Sequence, residues 1–183
     1  MFEITPEKNW KRATTLIFIW LCIISLLLVM GIIDLITTPN LEKNAIINTG
    51  TLPEIKGQER QIQQLFQNLI GNSIKYSRPG VAPVVDISAE EISGNAVPLE
   101  LSEEEASRDY HFIHVRDNGI GFEQKEAERI FNVFTRLHGK SEYSGNGVGL
   151  SIARKVMDNH RGYIWAEGQP DEGAVFHLLI PKD

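Results

Sequence analysis

The sequence predicts an α+β two-layer sandwich, in which a mixed, mainly antiparallel sheet is covered by helices on one face, together with one N-terminal transmembrane helix. Helical and strand periodicities mix along residues 41–183, and the last two predicted strands follow each other directly, which favours antiparallel pairing. Residues 13–33 carry no charge over 21 positions, which is long enough to cross a hydrocarbon core of about 30 Å.

These patterns divide the chain near residue 40. We expect a tail at 1–12, a transmembrane helix at 13–36, a linker at 37–40 and one folded domain at 41–183. A cleaved signal peptide would have a shorter apolar stretch followed by a small-residue cleavage site. A buried core helix would need a large partner core, so a membrane anchor is the favoured interpretation of the apolar segment.

Composition excludes some functional classes. The formal net charge of −6 does not favour nucleic-acid binding, because a basic face is the usual footprint of that function. The single cysteine, Cys22, excludes a disulfide framework and a cysteine metal cluster within one chain.

The folded domain is predicted to contain five strands and three helices. A helix over 57–77 is indicated by an apolar stripe that consists of Ile62, Leu65, Phe66, Leu69 and Ile70. The other predicted elements are strands at 44–50, 82–90, 109–117, 162–169 and 173–181, a polar loop at 91–108, a short helix around 123–133 and a helix over 150–160.

Glycines at 145, 147 and 149 precede the last predicted helix, in "GNGVGLSIARK". Backbone N–H groups at such a helix start can surround a phosphate. A P-loop is excluded, because the first glycine of its pattern would fall at Phe134. The dinucleotide fingerprint is not favoured, because "FTRLHGKSEYS" before the glycines is loop-like. A phosphate-covering loop and a flexible linker both stay open on this segment alone.

Two further segments offer polar groups to a nucleotide. Asn68, Asn72 and Lys75 are spaced i, i+4, i+7 on one face of the predicted helix, which suits Mg²⁺ and a polyphosphate, although a solvated face is the alternative. Asp117 ends an apolar strand in "DNGIGF", where it can accept a hydrogen bond from an exocyclic amine; an ordinary turn is the alternative. The order and spacing of the three segments favour one nucleotide site.

Together these segments closely resemble the catalytic, ATP-binding domain of bacterial sensor histidine kinases, in the phytochrome-like and hybrid-kinase branch. "QLFQNLIGNSIKYS" resembles the N box, "DNGIGF" the G1 box, "FNVFTRLHG" the F box and "GNGVGLSIA" the G2 box. The resemblance runs from about Leu41 to Pro181. It implies the histidine-kinase-type ATPase fold, ATP and Mg²⁺ as ligands, and transfer of the γ-phosphoryl group to a histidine.

The resemblance also implies a role for each matching residue. Asp117 would bind the adenine amino group, and Asn72 would be the main Mg²⁺ ligand. Arg136 would be the lid cation that reaches the γ-phosphate, so Asn68, Lys75 and Arg136 would form the catalytic set. The other predicted nucleotide contacts are Asn68 and Lys75 near the phosphates, Tyr76 by the adenine or ribose, Gly119 and Gly121 at the pocket floor, and Gly145, Gly147, Val148, Gly149 and Leu150 at the helix start.

Kinases of this family also need a dimerisation helix pair that carries the acceptor histidine. Leu41 follows the apolar span almost at once, and none of the five histidines lies early on a long amphipathic helix. We therefore expect the acceptor on a partner chain or on a missing dimerisation domain, with a response regulator as an indirect partner. An anti-sigma-type serine/threonine kinase and a non-catalytic nucleotide-binding regulator are the alternatives.

The charges beside the apolar segment conflict with this function. Lys8, Lys11 and Arg12 precede the segment and Lys43 follows it, so the positive-inside rule predicts a cytoplasmic N-terminus and an external domain. ATP is cytosolic, and we give the nucleotide motifs greater weight. We expect a protein of the bacterial inner membrane whose catalytic domain faces the cytoplasm.

Overall fold

The computed structural model describes residues 44–137 and 146–182. Five strands of this part form one sheet in the order β1-β2-β3-β5-β4. The first two strands pair in parallel, and the other neighbouring strands are antiparallel, so the prediction of a mixed, mainly antiparallel sheet is confirmed. The strands are β1 (Ile46–Thr49), β2 (Val84–Ser93), β3 (Asp109–Asp117), β4 (Tyr163–Gln169) and β5 (Gly173–Pro181).

Two helices, α1 (Glu59–Lys75) and α3 (Gly149–Asn159), contact each other and the sheet. Side chains alternate along each strand, so residues i and i+2 share a face. The face toward α1 and α3 carries the main core, whose fully buried members include Leu65, Leu69, Val85, Val115, Ala153, Met157 and Leu178. Helices and sheet therefore form two layers, as predicted.

The start of α1 is joined to the end of α3 by polar contacts. Gln58 donates its backbone N–H to His160 Nε2 at 3.0 Å, and His160 Nδ1 lies 2.7 Å from the carbonyl oxygen of Val156. Asn159 also donates its side-chain amide to Gln61 Oε1 at 3.0 Å. These bonds hold the two helices side by side, and the two helices carry five of the predicted nucleotide-binding residues: Asn68, Asn72, Lys75, Gly149 and Leu150.

The segment predicted as a short helix around 123–133 forms two separate 3₁₀ turns instead, Gln124–Glu126 and Arg129–Phe131. The reason is packing: Phe131 is only 2% exposed and lies edge-on to Phe176 of β5, with ring centroids 6.5 Å apart. The backbone then becomes extended at Asn132, which ends the second turn.

The connection between β2 and β3, predicted as a polar loop at 91–108, is partly structured and partly apolar. β2 extends to Ser93, and a short helix α2 (Glu103–Ala106) starts with a capping box made by Ser102 and Glu105. Apolar residues of this connection pack on the sheet face opposite α1 and α3, in a second cluster that includes Val97, Leu99, Leu101, Tyr110, Phe112 and Leu179. The prediction was wrong here because isolated apolar residues in a polar stretch give no periodic signal.

Within the part of the chain that the structure describes, no helix is long and apolar enough to cross a membrane. The predicted tail, transmembrane helix and linker at 1–40 lie outside the described residues, so these assignments stay predictions.

Candidate nucleotide-binding site

The site is centred on Asp117, at the end of β3 on the side of the helices. Its Oδ1 accepts backbone N–H bonds from Gly119 at 2.9 Å and from Ala174 at 3.2 Å, and its Oδ2 accepts the hydroxyl of Ser73 at 3.0 Å. An ionised carboxylate has about four acceptor positions. The donors of the described residues fill three of them, which leaves one position on Oδ2 for a ligand amine.

Burial raises the pKa of Asp117 above its usual value, while the hydrogen bonds from Gly119, Ser73 and Ala174 act in the opposite direction. A desolvated carboxylate favours its neutral form, and hydrogen bonds to the charged form oppose that tendency. The three donors therefore help to keep a buried acceptor ionised, which is the form that accepts an exocyclic N–H most strongly.

A small cavity of about 90 Å³ opens beside this carboxylate. Its lining is mostly apolar and includes several of the predicted polar residues. Of the residues predicted from the sequence, Asn72, Tyr76, Asp117, Gly121, Arg136 and Leu150 line the cavity. The residues Ile120, Phe122, Ile130, Thr135, Leu137, Ala174 and Phe176 complete the lining and were not predicted. A mostly apolar cavity with a buried carboxylate in its lining suits a ring that carries an amino group.

The two asparagines of α1 lie against the first residue of α3. A Cβ built on Gly149 would be 3.1 Å from Asn68 Oδ1 and 3.7 Å from Asn72 Nδ2. Asn68 also donates its amide to the carbonyl oxygen of Gln64 at 2.9 Å, which leaves its Oδ1 directed toward α3. The structure thus brings together two side-chain amides and a helix N-terminus, whose backbone N–H groups attract anions.

Lys75 and Tyr76 form a unit at the end of α1. Lys75 Nζ donates to the Tyr76 hydroxyl at 2.9 Å and lies 4.4 Å from the centroid of its ring. Tyr76 lines the cavity, so this contact holds the ammonium group beside the site. Lys75 does not itself line the cavity.

Two glycines of the G1 segment are needed for steric reasons. A Cβ on Gly119 would lie 2.6 Å from the carbonyl oxygen of Tyr76, at the end of α1. Gly121 has a φ of +60°, and a Cβ there would lie 1.9 Å from the carbonyl oxygen of Gln169. The loop after β3 can approach α1 and the β4–β5 turn only because both positions lack a side chain.

Gly147 closes the other side of the site. Its φ is +69°, its carbonyl oxygen accepts the N–H of Phe134 at 2.9 Å, and a Cβ would lie 2.8 Å from the carbonyl oxygen of Thr135. The adjacent Arg136 lines the cavity, so Gly147 holds the segment that carries the predicted lid cation. Val148 caps α3, and Gly145 lies outside the described residues.

Sequence reasoning missed Ser73, which is buried and connects α1 to Asp117. A signal was present, because Ser73 lies between buried apolar positions such as Leu69 and Ile74 on the helix. A hydroxyl on an apolar stripe indicates a buried hydrogen-bond partner elsewhere in the fold. The sequence does not show which residue that partner is.

In this fold, a helix that carries two asparagines lies beside a strand that ends in an aspartate. The fold and this arrangement are those of a nucleotide-binding domain. The chain belongs to the family of histidine kinase-, DNA gyrase B- and HSP90-like ATPases, whose model matches residues 57–183.

Among curated proteins, the chain is similar to cyanobacterial phytochrome A of Nostoc sp., with 41% identity over 140 residues. This match covers 76% of the chain and 16% of that protein. It is also similar to the adaptive-response sensory kinase SasA of Prochlorococcus marinus, with 33% identity over 147 residues, covering 77% of the chain and 35% of that kinase. The chain therefore spans a minor part of the length of the curated relatives it matches.

Among solved structures, the catalytic domain of the histidine kinase ThkA has a TM-score of 0.60 and 25% identity, and the match covers 85% of the chain and 92% of that domain. Full-length ShkA in complex with AMPPNP has the same TM-score of 0.60 at 24% identity, over 84% of the chain and 30% of that protein. The likeness to ShkA shows a shared fold, and the likeness to ThkA extends over nearly a whole kinase catalytic domain.

Proposed function

We propose that the chain is the ATP-binding catalytic domain of a two-component sensor histidine kinase. It binds Mg–ATP and transfers the γ-phosphoryl group to a histidine on a partner chain or on a dimerisation domain. The observation that carries the proposal is the buried Asp117, which keeps one acceptor position and lines a mostly apolar cavity together with Asn72. Family membership and the similarity to sensory kinases support the same function.

The residues of this chain bind and orient the substrate. Asp117 accepts the adenine amino group, while Ile120, Phe122 and Phe176 provide the apolar walls for the ring. Asn68, the backbone at the start of α3 and Lys75 act on the phosphates. The acceptor histidine is the nucleophile and belongs to another domain, so this chain contributes positioning and charge stabilisation.

The amide oxygen of Asn72 suits a magnesium ligand, because Asn72 lines the cavity and its side chain lies beside Gly149 at the start of α3. Mg²⁺ prefers few protein oxygens and keeps water and substrate phosphates as its other ligands. When bound, Mg²⁺ would neutralise charge on the β- and γ-phosphates. Arg136, on the cavity wall, is the side chain positioned to stabilise charge that develops during transfer.

Nucleotide binding is tested by calorimetry on the full chain, with ATP in the presence and absence of Mg²⁺. We expect magnesium-dependent binding that is strongly weakened in the Asp117→Asn variant. Absence of binding by the wild-type chain would overturn the proposal. GTP is the matched control ligand, because its carbonyl at the same ring position cannot donate to Asp117.

Phosphoryl transfer is tested with γ-labelled ATP and a separate sensor-kinase helix pair that carries an acceptor histidine. An acid-labile labelled helix pair supports histidine kinase activity. An acid-stable product would indicate a serine/threonine kinase instead, and tight binding without transfer to any partner would indicate a non-catalytic regulator.

We also propose that segment 13–36 anchors the protein in the bacterial inner membrane with the catalytic domain in the cytoplasm. The uncharged run of 21 residues supports the anchor, and the cytosolic location of ATP supports the orientation. Protease digestion of inside-out and right-side-out membrane vesicles tests both points. Recovery of the full chain in the soluble fraction, or cleavage of the domain only in right-side-out vesicles, would contradict the proposal.

A further inference from the structure

The chain contains two asparagine–glycine dipeptides, one at 118–119 after β3 and one at 146–147 before α3. In such a pair, the backbone nitrogen of the glycine can attack the side-chain carbonyl carbon of the asparagine, because glycine has no side chain to hinder the approach. The attack expels ammonia and closes a succinimide ring. Water then opens the ring to an aspartyl or isoaspartyl residue, so the amide becomes a carboxylate without any oxidation or reduction.

The first dipeptide is held by hydrogen bonds on both of its reacting groups. Asn118 Oδ1 accepts the N–H of Val84 at 2.9 Å, and Asn118 Nδ2 donates to the carbonyl oxygen of Ala82 at 3.0 Å. The N–H of Gly119 donates to Asp117 Oδ1 at 2.9 Å. The attack must remove this N–H proton, which a hydrogen bond to a carboxylate opposes. The amide therefore points toward β2 and the glycine nitrogen toward Asp117, and the two groups are kept apart.

The second dipeptide has no such bonds. The side chain of Asn146 is exposed, and Gly147 is half-buried. Among residues 44–137 and 146–182, neither the Asn146 amide nor the Gly147 N–H has a hydrogen-bond partner. Gly147 is held through its carbonyl oxygen, which accepts the N–H of Phe134 at 2.9 Å and takes no part in the reaction. Both reacting groups at 146–147 are therefore free to meet.

A carboxylate at position 146 would lie beside the candidate phosphate site. Asn146 precedes the first residue of α3, Gly149, by three positions. A Cβ on Gly147 would be 3.2 Å from Cγ of Arg136, which lines the nucleotide cavity. Negative charge near a helix N-terminus takes up the field that attracts anions, and it also repels phosphate.

The isoaspartyl product would disturb the same place in a second way. It inserts one methylene group into the backbone immediately before Gly147. That glycine has a φ of +69° and fits closely against Thr135, with the position of its missing Cβ 2.8 Å from the Thr135 carbonyl oxygen. A longer backbone at this point should shift Gly147 and the segment that carries Arg136.

We propose that Asn146–Gly147 is a site of spontaneous deamidation, which Asn118–Gly119 escapes in the folded chain. The carboxylate formed at position 146 lowers the affinity for the phosphates of the nucleotide, and this consequence rests on the proposed function. Water is the only co-reactant and ammonia leaves, so the modified fraction grows with the age of the folded chain.

The modification is tested on the full chain, kept at mildly alkaline pH and then digested in acid, where the reaction is slow. Peptide mass spectrometry follows the amide-to-acid change at both asparagines. We expect Asn146 to react at least about tenfold faster than Asn118, because reaction at Asn118 requires several hydrogen bonds to open. In the urea-unfolded chain the two rates should become similar. Equal rates in the folded chain, or no reaction at Asn146, would overturn the proposal.

Two variants test the consequence for the nucleotide. Asn146→Gln keeps an amide, but its longer side chain disfavours ring closure, so the aged variant should keep the Mg–ATP affinity of fresh protein. Asn146→Asp is the aspartyl product and should bind Mg–ATP about two- to fivefold more weakly. Wild-type affinity in Asn146→Asp would overturn the link to the phosphate site. The mass measurement needs no ATP, so failure of the proposed function would appear separately, as absence of Mg–ATP binding by fresh wild-type chain.

Discussion

Replacement of Asp117 by asparagine should strongly weaken nucleotide binding and preserve the fold. The asparagine Oδ1 can accept the same backbone bonds from Gly119 and Ala174. Its Nδ2 takes the place of Oδ2 and can donate to the oxygen of Ser73, whose own proton can then go to the carbonyl oxygen of Leu69, 3.2 Å away. Every polar atom around the changed side chain therefore keeps a partner.

The expected loss of affinity follows from one hydrogen bond to the ligand, whose acceptor atom is replaced by a donor. A hydrogen bond to a charged group contributes about 1.5–3 kcal/mol, which corresponds to about a 10- to 150-fold change in Kd. In the variant, the Nδ2 donor would also face the adenine amino donor. We expect the loss to lie toward the upper end of this range.

The same substitution should change how stability depends on pH. Burial raises the pKa of Asp117, so the folded state favours the protonated carboxyl. The stabilisation from this group is fully present below the unfolded pKa and is lost as pH rises through the folded pKa. Asparagine does not ionise, so the stability of the variant relative to the wild type should increase as pH rises across that window.

The assay combines calorimetric titration with Mg–ATP and thermal unfolding at several pH values. Unchanged ATP affinity in a folded Asp117→Asn variant would refute the role of the carboxylate. A melting temperature well below that of the wild type at neutral pH would refute the claim that the site tolerates an amide.

Two further predictions concern residues beside this carboxylate. Ser73→Ala removes one hydrogen-bond donor to Asp117, so the pKa of Asp117 should rise further. ATP affinity measured by calorimetry should fall by up to about tenfold at neutral pH, and the loss of affinity on acidification should begin at a higher pH. The control is Ser107→Ala, whose hydroxyl bonds within the β2–β3 connection and which should leave the pH profile of ATP affinity unchanged. Gly121→Ala should lower the free energy of unfolding by more than about 2 kcal/mol, because φ is +60° and the new Cβ would meet the Gln169 carbonyl oxygen. Gly71→Ala, at an open helical position, should instead raise it by about 0.5–1 kcal/mol. Equal denaturation midpoints for the two variants would contradict both expectations.

Local sequence was enough to predict the main elements. Apolar residues recur with helical spacing over several turns of α1, and apolar and polar residues alternate along β3. Such signals depend only on neighbouring positions in the sequence. Family membership could also be predicted, because the N, G1, F and G2 segments occur in order and each is short. Prediction failed around residues 123–133 and 91–108, where a single aromatic anchor or scattered apolar residues decide the backbone.

The polar partners inside the site could not be predicted in the same way. Ser73 and Asp117 are 44 positions apart, and only the packing of α1 on β3 brings the hydroxyl to the carboxylate. Likewise, glycine is required at position 121 because a Cβ there would clash with the carbonyl oxygen of Gln169, at the end of β4. Such contacts depend on how helices and strands that are distant in the sequence pack against one another. No local sequence pattern specifies that packing.

By itself, the sequence determined the family, the order of the elements and the residue types at the candidate nucleotide site, because periodicity and motif spacing are properties of neighbouring residues. The tertiary structure decided which of these side chains share a cavity and which donors surround Asp117. It also decided that the Asn118 amide is held by Ala82 and Val84, which lie 36 and 34 positions away. The physical reason is that strand register and helix docking are set by burial of the whole core, which no single segment specifies.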